Sequence, residues 1–119
     1  MYAKEKLPSP ELPSRTLTEE PWRKALRDAA ELIRTRGWCQ GEFEIDGTLC
    51  ALGALHVATT GTVNQTNNVG IAAAHRLAEH LDIHASNIAV WNDQKSMTSD
   101  QVENHLILAA NLPGKEGDR

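Results

Sequence analysis

Cys50 sits in the one long stretch of this 119-residue chain without a charged side chain, Gly47-Thr48-Leu49-Cys50-Ala51-Leu52-Gly53-Ala54-Leu55-His56-Val57-Ala58. A cysteine at the head of a buried helix is where thiol hydrolases keep their nucleophile, because the helix dipole and a nearby imidazole favour the thiolate. Later histidines followed by Asn92 and Asp93 supply the order that such enzymes use. Cys50, His75 and Asp93 are therefore the candidate catalytic residues of a thiol-dependent hydrolase or transferase. Two observations weigh against that reading. His75 and His80 fall on a helix predicted to be half exposed, His84 follows its end, and His105 borders the inner face of the last helix, so no histidine stands on a recognisable strand. Small buried cysteines are also common packing residues. The sequence favours core packing for Cys50 and assigns no catalytic residue, with the thiol enzyme as the alternative.

Metal chemistry finds less support. His80 and His84 are spaced i,i+4 around Asp82, but zinc sites gather three or four ligands and this region offers no cysteine. Cys39, Cys50 and His56 match no zinc spacing. No metal site and no cofactor are expected, and His56 reads as a buried histidine bonded to backbone. Candidate binding residues are Arg23, Arg27 and Arg34, which cluster on the outer face of one helix, and the cluster Trp91, Asn92 and Asp93. The arginines form a basic stripe fit for an acidic partner or a phosphate. The competing reading is a solvated face laced by Glu19/Arg23, Glu20/Lys24, Lys24/Asp28 and Arg27/Glu31, i,i+4 pairs contributing about 0.2–0.5 kcal/mol each. Trp91 is either an interface anchor or a side chain buried against the central helix, with Asn92 and Asp93 organising a turn. A small-molecule pocket bounded by Trp38, His56 and Trp91 is a further alternative.

The elements that must position these residues follow from local pattern. Thr18 reads as the cap of a first helix running to about Arg36, with Pro21 in the first turn, where its missing N–H costs nothing. Trp22, Ala25, Leu26, Ala29, Leu32 and Ile33 share one face, and Gly37 supplies the stop. Phe43 and Ile45 alternate with Glu42 and Glu44 ahead of Asp46-Gly47, the signature of a type I′ hairpin turn or an extended loop. In that hairpin Ile45 faces Thr48 and Phe43 faces Cys50. Cys39 is then out of register with Cys50, which argues against a disulfide between them. The Cys50 helix follows, buried on all sides, with Gly53 and Ala54 small enough for close approach. A polar connection over 59–68 leads to a third helix, about Val69–Leu81, with Ile71, Ala74, Leu77, Ala78 and Leu81 inward. Ser86–Trp91 reads as a short buried extended segment. Thr98 and Gln101 have capping-box spacing and open a last helix to about Asn111, with Val102, Leu106, Ala109 and Ala110 inward; Pro113-Gly114 ends it.

One core suffices for a chain of this length. With one Phe, one Tyr and three Trp, the core must be built from Leu, Ala, Ile and Val, which favours helices. Two cysteines without a CxxC pair give no disulfide framework and read as reduced thiols. No charged leader precedes an apolar run, and no run approaches the ~20 residues that span a bilayer, so a cytoplasmic protein without membrane contact is expected. The net charge of -4 hides an asymmetry: residues 1–37 balance at +2, residues 38–111 at -6. So acidic a body is a poor nucleic-acid binder and suits a basic protein partner.

The first helix ending in Gly37-Trp38-Cys39-Gln40-Gly41, then Cys50-Ala51-Leu52-Gly53-Ala54-Leu55, then Trp91-Asn92-Asp93 resembles a family of small uncharacterised proteins of actinobacteria and their bacteriophages. The resemblance covers roughly residues 20–111 and brings no activity, cofactor or catalytic residue. It implies a bacterial cytoplasm, that of the host if phage-encoded. The expected architecture is mainly α, a compact four-helix domain over 18–112 with a small hairpin or extended loop and the second helix buried at the centre. A disordered arm over 1–17 and a loose tail over 113–119 flank it. The expected function is a non-enzymatic protein-protein interaction module, with a host protein as partner.

Overall fold

A computed structural model describes residues 19–113. The arm over 1–17, the Thr18 side chain and the tail beyond Pro113 lie outside the described residues. Helix α1 spans Pro21–Arg36, with proline in its first turn and Glu20, rather than Thr18, at the N-cap position without a side-chain capping bond. Its buried side chains are Trp22, Ala25, Leu26, Ala29, Ala30 and Ile33, the predicted stripe with Ala30 added and Leu32 only half-buried at its edge. At Gly37 the backbone turns to φ 99°, a region that disfavours a β-carbon, and the Gly37 N–H closes on the Ile33 carbonyl at 2.8 Å.

Strands β1 (Glu44–Ile45) and β2 (Thr48–Leu49) form the hairpin in the expected register, Ile45 opposite Thr48. Asp46 at φ 50° and Gly47 at φ 90° occupy the turn, as a type I′ turn requires. The Cys50 N–H donates to the Phe43 carbonyl at 3.1 Å. Arg36 ties the hairpin to the end of α1, donating from Nε to the Gly47 carbonyl (2.8 Å) and from Nη2 to Glu44 (2.9 Å). The alternation of Phe43 and Ile45 does not mark an inward face: they are 40% and 42% exposed.

Helix α2 (Ala51–Thr60) buries Ala51, Gly53, Ala54 and Leu55. Leu52, His56, Val57 and Ala58 remain half-buried, so α2 is not buried on all sides. Nor is it the centre. The longest helix, α1, packs at once against α2 and the helices over 68–81 and 99–110, while α2 meets chiefly α1 and the helices over 68–81 and 88–92. Gly53 serves the close approach expected of it, although the neighbour is the hairpin rather than a helix: a β-carbon there would come within 2.2 Å of the Phe43 carbonyl oxygen.

Helix α3 (Asn68–Leu81) is capped by the Asn67 side chain, which accepts from the Gly70 N–H at 2.9 Å. Leu77 and Ala78 are buried as expected and Ala74 and Leu81 pack half-buried against the core, but Ile71 is exposed, and Gly70 and Ala73 complete the inner face. The segment read as extended is helical. A 3-10 turn at Ala85–Asn87 runs into the short helix α4 (Ile88–Asn92), which makes five α-helices among the described residues instead of four. Ile88 is buried and Val90 is 63% exposed; an alternation only two residues long cannot distinguish a strand from one helical turn. Helix α5 (Ser99–Ala110) begins with the predicted capping box of Thr98 and Gln101 and buries Val102, Leu106, Ala109 and Ala110 as predicted.

Candidate functional site

Two of the side chains singled out, Trp38 and Asp93, meet at Asn92, the last residue of α4 and only 1% exposed. Its Oδ1 accepts from Trp38 Nε1 at 2.9 Å and from the Ala51 N–H at 3.0 Å. Its Nδ2 donates to the Cys39 carbonyl at 3.1 Å and to Asp93 Oδ1 at 2.9 Å. Four bonds fill the capacity of a carboxamide, two accepted and two donated. The neighbours extend the network: Gln40 Nε2 donates to the carbonyls of Asn92 (3.1 Å) and Gln94 (2.9 Å), and the Gly41 N–H donates to Asp93 Oδ1 (3.0 Å). Residues 38–41, the first residue of α2 and the end of α4 are thereby fastened at one point. Asn92 and Asp93 organise more than their own turn. The buried member of the Trp91 cluster is Asn92, while Trp91 is half-buried against the core and packs edge-on against His105 of α5, centroids 5.8 Å apart.

Cys50 holds the N-cap position of α2, its Sγ accepting from the Gly53 N–H at 3.3 Å. Burial pushes its thiol above the ordinary cysteine range, and the Gly53 N–H bond offsets this only in part. The dipole is present, but desolvation outweighs it and the thiol form prevails. Cys50 and Asp93 do share a depression of about 190 Å³ with Gly41, Glu42 and Phe43. His75 does not line it and stands exposed on α3. The structure brings together two of the three residues of the thiol alternative and leaves out the imidazole.

Other candidates have local partners. His56 Nδ1 lies 2.6 Å from the Val63 carbonyl, which can only accept, so the Nδ1 proton is fixed there; the ring meets Phe43 edge-on at 4.9 Å. Trp38, His56 and Trp91 thus face three different surroundings, and none of them lines the depressions described here. His84 turns to the Ser86 N–H (3.1 Å), and no group of three or more His, Cys, Asp or Glu side chains able to hold a metal occurs among the described residues. His80 Nε2 and His105 Nδ1 lie 2.9 Å apart between α3 and α5. Burial, then the neighbouring His105, push His80 below the usual imidazole range.

The basic stripe is neutralised by its own neighbourhood. Arg27 pairs with Glu19 and Arg34 with Glu31; of the four expected i,i+4 pairs, Lys24–Asp28 forms at 2.6 Å. Arg27 and Arg34 line a depression of about 150 Å³ between α1 and α5 that also holds Glu31 and Glu103. Arg23 is structural: Nε bonds Glu20 at 2.7 Å, and Nη1 donates to the carbonyls of Ala110 (2.9 Å) and Leu112 (2.5 Å). That hydrogen bond holds the Glu20 carboxyl below the usual carboxylate range. From the other side Arg76 donates to the Pro113 carbonyl at 3.3 Å. The Arg23 and Arg76 guanidinium carbons each sit 4.4 Å from the Trp22 ring centre, so one indole supports both arginines at the end of α5.

Two of these devices have little trace in the sequence. A polar side chain closing the apolar run Ile88–Trp91 is a weak sign of a buried Asn92, and nothing local announces that Arg23 and Arg76 share Trp22. No helix among the described residues is long and apolar enough to cross a membrane. No curated protein and no solved structure matches the chain. A family model described as a family of unknown function (DUF6197) matches residues 17–112, and the chain belongs to that family.

Proposed function

We propose that the protein is a non-enzymatic protein-interaction module that docks through its β-hairpin. The observation that carries this reading is the exposure of Ile45 in β1 and of Phe43 just before it, beside the acidic side chains of Glu42, Glu44 and Asp46. In contrast, Asp93 is engaged in the Asn92 network and the Cys50 thiol caps its own helix. An apolar ridge rimmed by carboxylates fits a partner with an apolar pocket and a basic rim. The resemblance to proteins of actinobacteria and their bacteriophages supplies the setting, a bacterial cytoplasm, with a host protein as partner where the gene is phage-borne. Affinity capture from such a lysate is expected to recover a specific partner with the wild-type chain and to lose it with the Phe43→Ser, Ile45→Thr pair, which leaves the core intact. Equal recovery by both chains, or recovery of none, overturns the proposal.

The thiol-enzyme reading has one observation in its favour, the shared depression of Cys50 and Asp93. It requires Cys50 to react with iodoacetamide in the folded protein at neutral pH at least as fast as a free thiol. The raised Cys50 pKa predicts slower reaction.

A further inference from the structure

The hairpin register alone sets Cys39 apart from Cys50, but β2 has a second neighbour. Trp38 pairs in parallel with Leu49, through the Leu49 N–H to the Gly37 carbonyl (3.0 Å) and the Cys39 N–H to the Leu49 carbonyl (3.2 Å). The next position in that parallel register is Cys39 beside Cys50. Side chains alternate faces along a strand, so both cysteines leave on the side opposite Trp38 and Leu49. Neighbouring strands run about 4.8 Å apart, inside the Cα separation of about 4.4–6.8 Å that a disulfide spans.

A second observation pins the two backbones independently. One carboxamide, that of Asn92, holds the Cys39 carbonyl with Nδ2 and the N–H of Ala51, next to Cys50, with Oδ1. Both thiols are free and buried. Cys50 forms part of the wall of the depression with Gly41, Glu42, Phe43 and Asp93, which gives a reagent an approach from solvent.

We propose that Cys39 and Cys50 are a redox-responsive pair that a small disulfide such as oxidised glutathione, entering at the Cys50 depression, converts into an intramolecular disulfide. The Cys50 thiolate attacks one sulfur of the reagent, forming a mixed disulfide and expelling one glutathione thiolate. The Cys39 thiolate then attacks Cys50 Sγ, forming the Cys39–Cys50 bond and expelling the second. Two protein thiols are oxidised, one reagent disulfide is reduced, and the two thiol protons end on the departing glutathione molecules. This modification is independent of the docking role proposed above.

The test treats the reduced full chain with oxidised glutathione, quenches with acid and maps non-reduced peptides by mass spectrometry, with circular dichroism confirming that the sample is folded. The expected result is a linked Cys39–Cys50 peptide in monomeric protein without lasting glutathione. Closure should accelerate about tenfold per pH unit below the thiol pKa, since thiolate is the attacking species. Cys39→Ser is expected to stall with glutathione on Cys50. A wild-type chain that keeps glutathione on one cysteine with no linked peptide overturns the proposal. So does a folded chain that stays fully reduced while the same chain in urea oxidises.

Discussion

Replacing Asn92 with Ala removes a side chain of ordinary size but strands Trp38 Nε1, the Ala51 N–H and the Cys39 carbonyl, all paired with it in the native state. Each buried group left unpaired costs about 1–3 kcal/mol, so urea unfolding should show a loss of at least about 3 kcal/mol. Asn92→Asp should recover little of it, because the carboxylate cannot donate to Cys39 and would face Asp93. His80 gives the clearest pH dependence. Its folded pKa lies below the ordinary value of 6.5, so on acidification the unfolded chain takes up the proton first. Stability present at neutral pH is therefore lost as pH falls through 6.5 toward the lower folded value. Urea midpoints measured between about pH 7.5 and 5 should drop, and His80→Gln should flatten the slope. Asn92 was legible as a turn residue because Asn and Asp after an apolar run mark chain reversals. Its burial was not, since that depends on where Trp38 and Ala51 arrive from 54 and 41 residues away.

Two helical glycines separate close approach from mere smallness. A β-carbon at Gly53 would collide with the Phe43 carbonyl, backbone that cannot step aside, whereas at Gly70 it meets the side-chain hydroxyls of Thr66 at 2.3 Å and Thr59 at 3.0 Å. Gly53→Leu should therefore destabilise by about 1–3 kcal/mol through overpacking, and even Gly53→Ala should lose stability despite its better helix propensity. Gly70→Ala should come near neutral, as Thr66 sits in an exposed loop and alanine favours the helix by about 1 kcal/mol. Cys50→Ala, which removes a weak cap, should cost no more than about 1 kcal/mol; thermal melts of the four variants check the order. The elements best read from sequence were those with local start and stop signals, α1 with Pro21 and Gly37 and α5 with its capping box. α4 was missed because Ile88 and Val90 suit a strand equally well, and the side chain that starts the preceding turn, His84, is not a usual cap.

Across the molecule the end of α5 is held by side chains distant in sequence. Arg23 and Arg76 reach the last carbonyls after α5 while stacked on Trp22, so the start of α1 clamps the end of α5. Arg23→Ala should raise amide exchange over 106–112 and lower stability by about 1–3 kcal/mol. Arg23→Lys should not restore protection, because one ammonium cannot match the planar fork that bonds Glu20, Ala110 and Leu112 together. Single-sequence periodicity found the inward stripe of α1 but not its rank. That α1 rather than α2 is the hub reflects length: a 16-residue helix offers its three helical partners longer flanks than a 10-residue helix can.

The Asn92 junction also bears on the order of folding. Its bonds join chain segments 41 to 54 residues apart, whereas the capped turns of α2, α3 and α5 close over three or four residues. Loop-closure entropy delays the distant contacts until the helices have assembled. An Asn92→Ala chain should then refold at close to the wild-type rate and unfold markedly faster, placing the junction among the last contacts to form and the first to open.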